Sequence, residues 1–419
     1  MQFVVVVPEA ISGADYALLA RKVGGVRLLV RTLATAQRAG ASEVLLVWPC
    51  GMPVQLAEAV VRSPQVQRKS TIRILEVESF DPNSRSSWMS LAGYLEDQFV
   101  WLPWNWVTFA RELAKLPKDQ PSRSWATPTW ISKTSALSDP SSGRRDLSPM
   151  PSSAGVGVTS AETARAAERF LVERSGKLSD GIHTSFNRRL CRAAVRWLSQ
   201  TSVTPNAVTF GGVIVAIFSA IAFARGNYWS YVAGALLFFL AGLFDEMDGM
   251  LARVKLADSP LGTYLESHAD SLSYLLLFGG ITIGLYRQYG AWVLWVGGLL
   301  LIGATLALTV TTLQRKRAAA PDRPTEYLGN FYRKLEDDSS NWISRAVRQA
   351  QGFQRRGILI HYVVIFTVLG GLPVLFFLAT IGSHLTWTLA LYFNHRFFRP
   401  AAKSRSSLMQ KAAATRETS

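Results

Sequence analysis

Five stretches in the second half of the chain hold no Asp, Glu, Lys or Arg: residues 207–224, 226–244, 271–286, 288–314 and 357–395. A bilayer core is crossed by roughly 20 apolar residues in a helix. The first four stretches therefore predict one helix each. The fifth, 39 residues long, predicts two, with the turn at Gly370-Gly371-Leu372-Pro373 or at Gly382-Ser383. The expectation is an all-α region of six transmembrane helices over residues 201–398.

The first half alternates instead. Apolar strand-like runs stand at 3–7, 43–48, 72–77 and 98–102, and helical patterns at 27–39 and 106–116. Strands alternating with helices predict a parallel α/β sheet over residues 1–117. Residues 118–154 are rich in Ser, Pro and Thr and read as a linker or loop. Residues 155–176 close the soluble domain with a helix at 159–173, capped by Thr159 or Ser160 with Glu162 in its first turn. Within 177–200, Phe186, Leu190, Ala194, Trp197 and Leu198 fall near one helical face and the arginines mostly on the other, the pattern of an interfacial helix. Residues 399–419 form a basic tail.

Charge refines this picture. Lys and Arg total 45 against 29 Asp and Glu, a formal charge of +16, yet only 18% of residues are charged and mean hydropathy is +0.15. This excludes a disordered chain and argues against an ordinary soluble enzyme. Two cysteines, Cys50 and Cys191, exclude a disulfide framework. The start, residues 1–8, lacks a basic n-region and a long apolar core, so no secretory leader is expected. The cations flank the spans: Arg188, Arg189, Arg192 and Arg196 before the first, Arg315, Lys316 and Arg317 after the fourth, Arg355 and Arg356 before the fifth, Arg396, Arg399, Lys403 and Arg405 around the end. The opposite turns carry only Arg225 and Arg287. Both termini are then expected in the cytoplasm, and the +16 reads as a positive-inside pattern with attraction to anionic headgroups, with no nucleic-acid partner.

Acidic residues at the membrane boundary are the candidate chemistry. Asp245 and Asp248 are three apart, Glu266 and Asp270 four apart, so each pair shares a helical face. The short connection makes the two helices antiparallel neighbours whose acidic faces meet. Four carboxylates brought together repel unless cations sit between them, and oxygen-only ligands suit Mg²⁺ or Mn²⁺. Gly249 and Ala252 leave room beside the acids, and Arg253 offers a planar donor fork suited to phosphate. His268 lies one residue off the carboxylate face and reads as packing. So do His361, His384 and His395.

The run Asp245-x2-Asp248-Gly249-x2-Ala252-Arg253-x8-Gly262-x3-Glu266-x3-Asp270 resembles the motif of the CDP-alcohol phosphotransferase family, with Glu266 where the family has its third Asp. Thr204-Pro205-Asn206 before the first span is similar to that family's opening residues, and six spans agree with its fold. The resemblance, over about 177–398, implies divalent metal held by Asp245, Asp248, Glu266 and Asp270, with Asp270 also the general base. It implies CDP contacts from Thr204, Asn206, Asp248, Gly249, Ala252, Arg253 and Gly262. The reaction implied moves a substituted phosphate from a CDP-alcohol, such as CDP-diacylglycerol or CDP-inositol, to an acceptor hydroxyl and releases CMP. Arg333, Lys334, Arg355 and Arg356 are candidate contacts for an acceptor phosphate. A multi-pass protein of the cell inner membrane and a homodimer are implied by the same resemblance.

Lys22-Val23-Gly24-Gly25-Val26-Arg27-Leu28-Leu29, Arg31-Thr32-Leu33, Ala39-Gly40-Ala41 and the run 98–105 resemble a nucleotidyltransferase fold, a Rossmann-like sheet. The run 158–168 resembles that fold's closing segment. Lys177, Asp180-Gly181 and Asn187-Arg188 are similar to the junction in fused inositol-phosphate cytidylyltransferase/phosphotransferase proteins, which points to inositol phosphate or a related polyol as acceptor. Yet residues 8–13, Pro-Glu-Ala-Ile-Ser-Gly, make a poor triphosphate cradle, and Asn105 stands where a metal-binding Asp is expected. The domain is therefore expected to be a pseudo-enzyme. Two alternatives stay open: a bifunctional enzyme that also makes its CDP-alcohol from CTP, and a non-catalytic membrane scaffold.

Overall fold

The computed structural model describes residues 1–8, 19–66, 70–116, 125–138, 154–176, 182–318, 326–338, 341–350 and 356–398. The triphosphate-loop residues 9–13, the junction residues Lys177, Asp180 and Gly181, Arg355 and the tail 399–419 lie outside them. Contacts divide the chain into two units: Met1–Val208 with Glu246–Thr263, and Thr209–Asp245 with the chain from Tyr264 onward.

The first unit is built on a five-stranded sheet. Its strands are β1 (Gln2–Val6), β4 (Glu43–Pro49), β5 (Thr71–Val77), β6 (Gln98–Trp101) and β8 (Thr129–Ser132), in the order β5-β4-β1-β6-β8. The first four are mutually parallel and β8 is antiparallel to β6. The central strands β1 and β4 are buried on both faces, which explains their unbroken apolar runs. Phe3, Val5, Val44, Leu46 and Trp48 pack against helices α1 (Leu28–Arg38) and α2 (Val54–Val61). Val4, Val6, Leu45 and Val47 face α3 (Arg85–Leu91), where Trp88 meets Phe99, Trp101 and Trp125. A small hairpin, β2 (Lys22–Val23) and β3 (Val26–Arg27), precedes α1.

Two expectations need correction. The helix expected at 106–116 is a strand β7 (Trp106–Val107), paired antiparallel with β9 (Val156–Gly157), followed only by a short helix α4 (Ala110–Leu113). Its amphipathic pattern is real, but the Trp106 indole packs on Gly155 and Gly157, so the partner strand sets the backbone. The stretch read as a linker contains β8 and helix α5 (Lys133–Ser138), because Trp130 and Ile131 complete the sheet edge within a Ser/Thr-rich run. Helix α6 (Ala161–Arg174) starts where expected. Ser160 is its cap: the side chain accepts from the Thr163 N–H, and Thr163 Oγ1 accepts from the Ser160 N–H. Helix α7 (Ile182–Ser199) buries Asn187, Cys191, Val195 and Ser199 and leaves Phe186, Leu190 and Trp197 exposed.

Helices α8 (Pro205–Ala224), α9 (Tyr228–Lys255), α10 (Pro260–Tyr289) and α11 (Trp292–Ala318) follow the first four uncharged stretches. Helices α12 (Glu326–Asp337) and α13 (Trp342–Ala350) come next, then α14 (Arg356–Val368) and α15 (Leu372–Phe398). The turn in the long fifth stretch is thus at Gly370-Gly371, where Gly370 takes φ +74°, and Gly382 stays inside a helix. Among the described residues, four helices are long and apolar enough to cross a membrane: α8, α10, α11 and α15. The uncharged half of α9 is followed directly by the acidic motif. The 13 residues of α14 rise only about 20 Å, short of a hydrocarbon core.

In the second unit, Gly280 and Gly284 are spaced so that α10 lies directly on the α8 backbone at Ala220 and Phe223. A Cβ at Gly284 would collide with the Phe223 carbonyl. Gly284→Val is therefore expected to lower stability by about 3 kcal/mol, read as a fall in the thermal unfolding midpoint in detergent. A midpoint within 1 °C (about 0.3 kcal/mol) of the parent would show that the helices do not need this approach.

Candidate metal centre

The motif occupies the end of α9 and the start of α10. The sequence begins α10 with Ser259-Pro260: Ser259 Oγ accepts from the Gly262 N–H at 2.9 Å, and Pro260 fills the first helical position, where no N–H is needed. Thr204-Pro205 begins α8 in the same way, with Thr204 Oγ1 accepting from the Ala207 N–H. Helix α9 ends at Leu256, which sits at φ +53°. A left-handed leucine costs about 1–3 kcal/mol, and its side chain, 8% exposed, is buried in the cluster that holds Leu29 and Leu33.

Asp245 and Asp248 lie one turn apart on α9, and Glu266 lies on α10. Each offers a carboxylate oxygen within 4.8 Å of the others. Asp248 is 3% exposed and the other two are half-buried. Two such charges at this distance repel by about 3.5 kcal/mol at an effective dielectric of about 20. Three carboxylates held this closely fit a divalent cation, which removes the repulsion and uses the oxygens as ligands. Glu266, despite its extra methylene, reaches the group. Asp270 lies one turn further along α10.

The remaining motif residues surround these acids. The Arg253 guanidinium lies over Gly249, and its Nε donates to the Ser175 carbonyl. Gly262 lies beside Asn206. Glu246, between the two aspartates, pairs with Arg188 of α7 at 3.0 Å. No local pattern in the sequence marks this pair, because its partners are 58 residues apart. His268 is exposed, with Nδ1 on its own helix at the Tyr264 carbonyl. His384 Nδ1 accepts from the Trp387 indole N–H, and its Nε2 lies 3.0 Å from the Leu299 carbonyl oxygen. Of the candidate acceptor contacts, Lys334 Nζ donates to the Phe397 carbonyl, Arg333 is exposed, Arg356 begins α14 and Arg355 lies outside the described residues.

Residues 202–333 match the family model described as CDP-alcohol phosphatidyltransferase. The chain is 34% identical over 92 residues to an archaetidylinositol phosphate synthase of Aeropyrum pernix, covering 22% of this chain and 46% of that protein. It is 24% identical over 237 residues to a protein of Aquifex aeolicus named bifunctional IPC transferase and DIPP synthase, covering 56% of this chain and 49% of that one. It is also 29% identical over 127 residues to cholinephosphotransferase 1 of Gallus gallus, covering 24% and 38%. The chain thus spans less than half the length of each of these relatives.

Proposed function

We propose that the protein transfers a substituted phosphate from a CDP-alcohol to the hydroxyl of a second alcohol and releases CMP, because residues 202–333 match the CDP-alcohol phosphatidyltransferase model. The observation that carries the reading is the convergence of Asp245, Asp248 and Glu266 at the position of the domain's motif. These residues would hold Mg²⁺ or Mn²⁺. When bound, the metal supplies a charge clamp for the pyrophosphate and for the leaving phosphate. Asp248, Gly249, Ala252, Arg253 and Gly262, with Thr204 and Asn206, line the proposed CDP site. Small Gly249 and Ala252 admit the cytidine, and the Arg253 fork meets phosphate oxygen.

Asp270 is assigned the proton. Its carboxylate takes the hydrogen of the acceptor hydroxyl as that oxygen bonds to the β-phosphorus. The bond from this phosphorus to the oxygen shared with the α-phosphate breaks, and CMP leaves with the electron pair. Arg333, Lys334, Arg355 and Arg356 are the proposed contacts for an acceptor phosphate, and the name of the Aeropyrum pernix relative favours an inositol phosphate or a similar polyol phosphate. A homodimer in the cell inner membrane with both termini cytoplasmic completes the proposal.

The α/β domain is proposed to be non-catalytic. Asn105, at the position where a metal-binding Asp is expected, donates from Nδ2 to the Val158 carbonyl at 3.0 Å, a structural bond. The test is CMP release by the purified full chain, with CDP-diacylglycerol as donor and inositol phosphate as acceptor. Release is expected with Mn²⁺ or Mg²⁺ and not with EDTA, and CTP with inositol phosphate alone is expected to give none. Absence of CMP with every CDP-alcohol supplied overturns the transferase reading. Turnover from CTP overturns the pseudo-enzyme reading.

A further inference from the structure

If the α/β domain performs no chemistry, its arginines still have an unusual set of partners. Arg31, on α1, is 1% exposed. Its guanidinium donates to the Val23 carbonyl at 2.8 Å and to the Val254 carbonyl, at the end of α9, at 2.5 Å. One helical stretch further, Arg38 donates to the Leu256 carbonyl at 2.7 Å and pairs with Asp258 at 3.1 Å. The last carbonyls of a helix have no partner within it, and cations there also meet the negative end of the helix dipole. The turn that joins α9 to α10 is therefore held by two cations supplied from a helix more than 200 residues away in sequence.

The attachment is reciprocal. Arg253 of the motif donates to the Ser175 carbonyl at the end of α6, beside Arg111, which donates to the Arg174 and Gly176 carbonyls at 2.7 and 2.8 Å. Lys255 donates to the Thr201 and Val203 carbonyls after α7. The β2–β3 turn fits into the same place: a Cβ on Gly24 would stand 2.8 Å from Val254 Cγ1, and one on Gly25 would strike the Ser199 carbonyl. Burial draws the Arg31 pKa down to about 9, with nearby Arg38 adding to the fall and Glu168 opposing it, so the guanidinium is still a cation at neutral pH. Leu256, left-handed and buried in the α/β core, fixes the same turn by packing.

We propose that the α/β domain is a positioning device for the metal centre: Arg31 and Arg38 hold the turn at 254–258 and thereby the spacing of the carboxylates on the two helices it joins. The proposal rests on the transferase reading and explains what a domain without triphosphate chemistry does for it. Arg31 and Arg38 are positioning residues, since neither touches the carboxylates.

The test is Mn²⁺ binding to the purified full chain, followed by electron paramagnetic resonance, beside the Mn²⁺ dependence of CMP release. Arg38→Ala is expected to raise the half-saturating Mn²⁺ concentration about tenfold, the scale on which supports behind metal ligands act. Arg38→Lys should recover most of the affinity, and Asp258→Ala should move it about threefold in the same direction. Thermal unfolding of each variant reports whether the fold survives. Should Arg38→Ala unfold the chain, the surface variant Asp258→Ala decides alone. An unchanged Mn²⁺ midpoint in a folded variant overturns the positioning role. A parent protein that binds Mn²⁺ but releases no CMP overturns the transferase reading, while the midpoint shift still decides the positioning role.

Discussion

Asp248→Asn is expected to reduce metal-dependent CMP release by about 10³-fold, the cost of about 4 kcal/mol of transition-state charge stabilisation. Asp248 is the most buried of the three grouped carboxylates. Asparagine keeps the shape and one oxygen but removes the charge. The remaining pair, Asp245 and Glu266, binds a cation more weakly, so the Mn²⁺ midpoint rises together with the fall in rate. Raising Mn²⁺ should therefore recover part of the rate, and Asp248→Glu, which restores the charge at a shifted position, should recover more. The measurement is CMP formation over a Mn²⁺ titration at saturating CDP-diacylglycerol. Retention of more than a tenth of the parent rate at low Mn²⁺ would falsify the assignment of Asp248 to the metal.

The places where sequence and structure agree share a physical cause. The uncharged stretches become helices because a bilayer forces the backbone to satisfy itself. The carboxylate grouping was legible because helical periodicity and a short connection bring Asp245, Asp248 and Glu266 together. What was not legible depends on partners distant in the chain. Trp106 sits in a strand because Gly155 and Gly157 accept its ring. The edge strand β8 hides in a Ser/Thr-rich run because two apolar residues suffice at a sheet edge. Arg31 and Arg38 meet the end of α9 across more than 200 residues of sequence, a pairing that only the fold sets. The order of the turn candidates at Gly370 and Gly382 was undecidable from composition, since both are small-residue breaks; only the first takes positive φ.

Asp270→Asn separates the two roles that the family resemblance gives to one residue. If Asp270 takes the acceptor proton, the amide removes the base and kcat falls by about 10³-fold, within the range for a positioned general base. If Asp270 serves only as the base, the Mn²⁺ midpoint and the KM for CDP-diacylglycerol should stay within about threefold of the parent, since neither depends on the base. A metal ligand behaves differently: its loss raises the Mn²⁺ midpoint, and extra metal restores the rate. The pair of variants is thus diagnostic, with Asp248→Asn rescued in part by Mn²⁺ and Asp270→Asn not rescued. Rescue of Asp270→Asn by high Mn²⁺ would move the residue into the metal's coordination sphere and leave the proton to another group. A kcat within tenfold of the parent would remove Asp270 from the chemistry altogether.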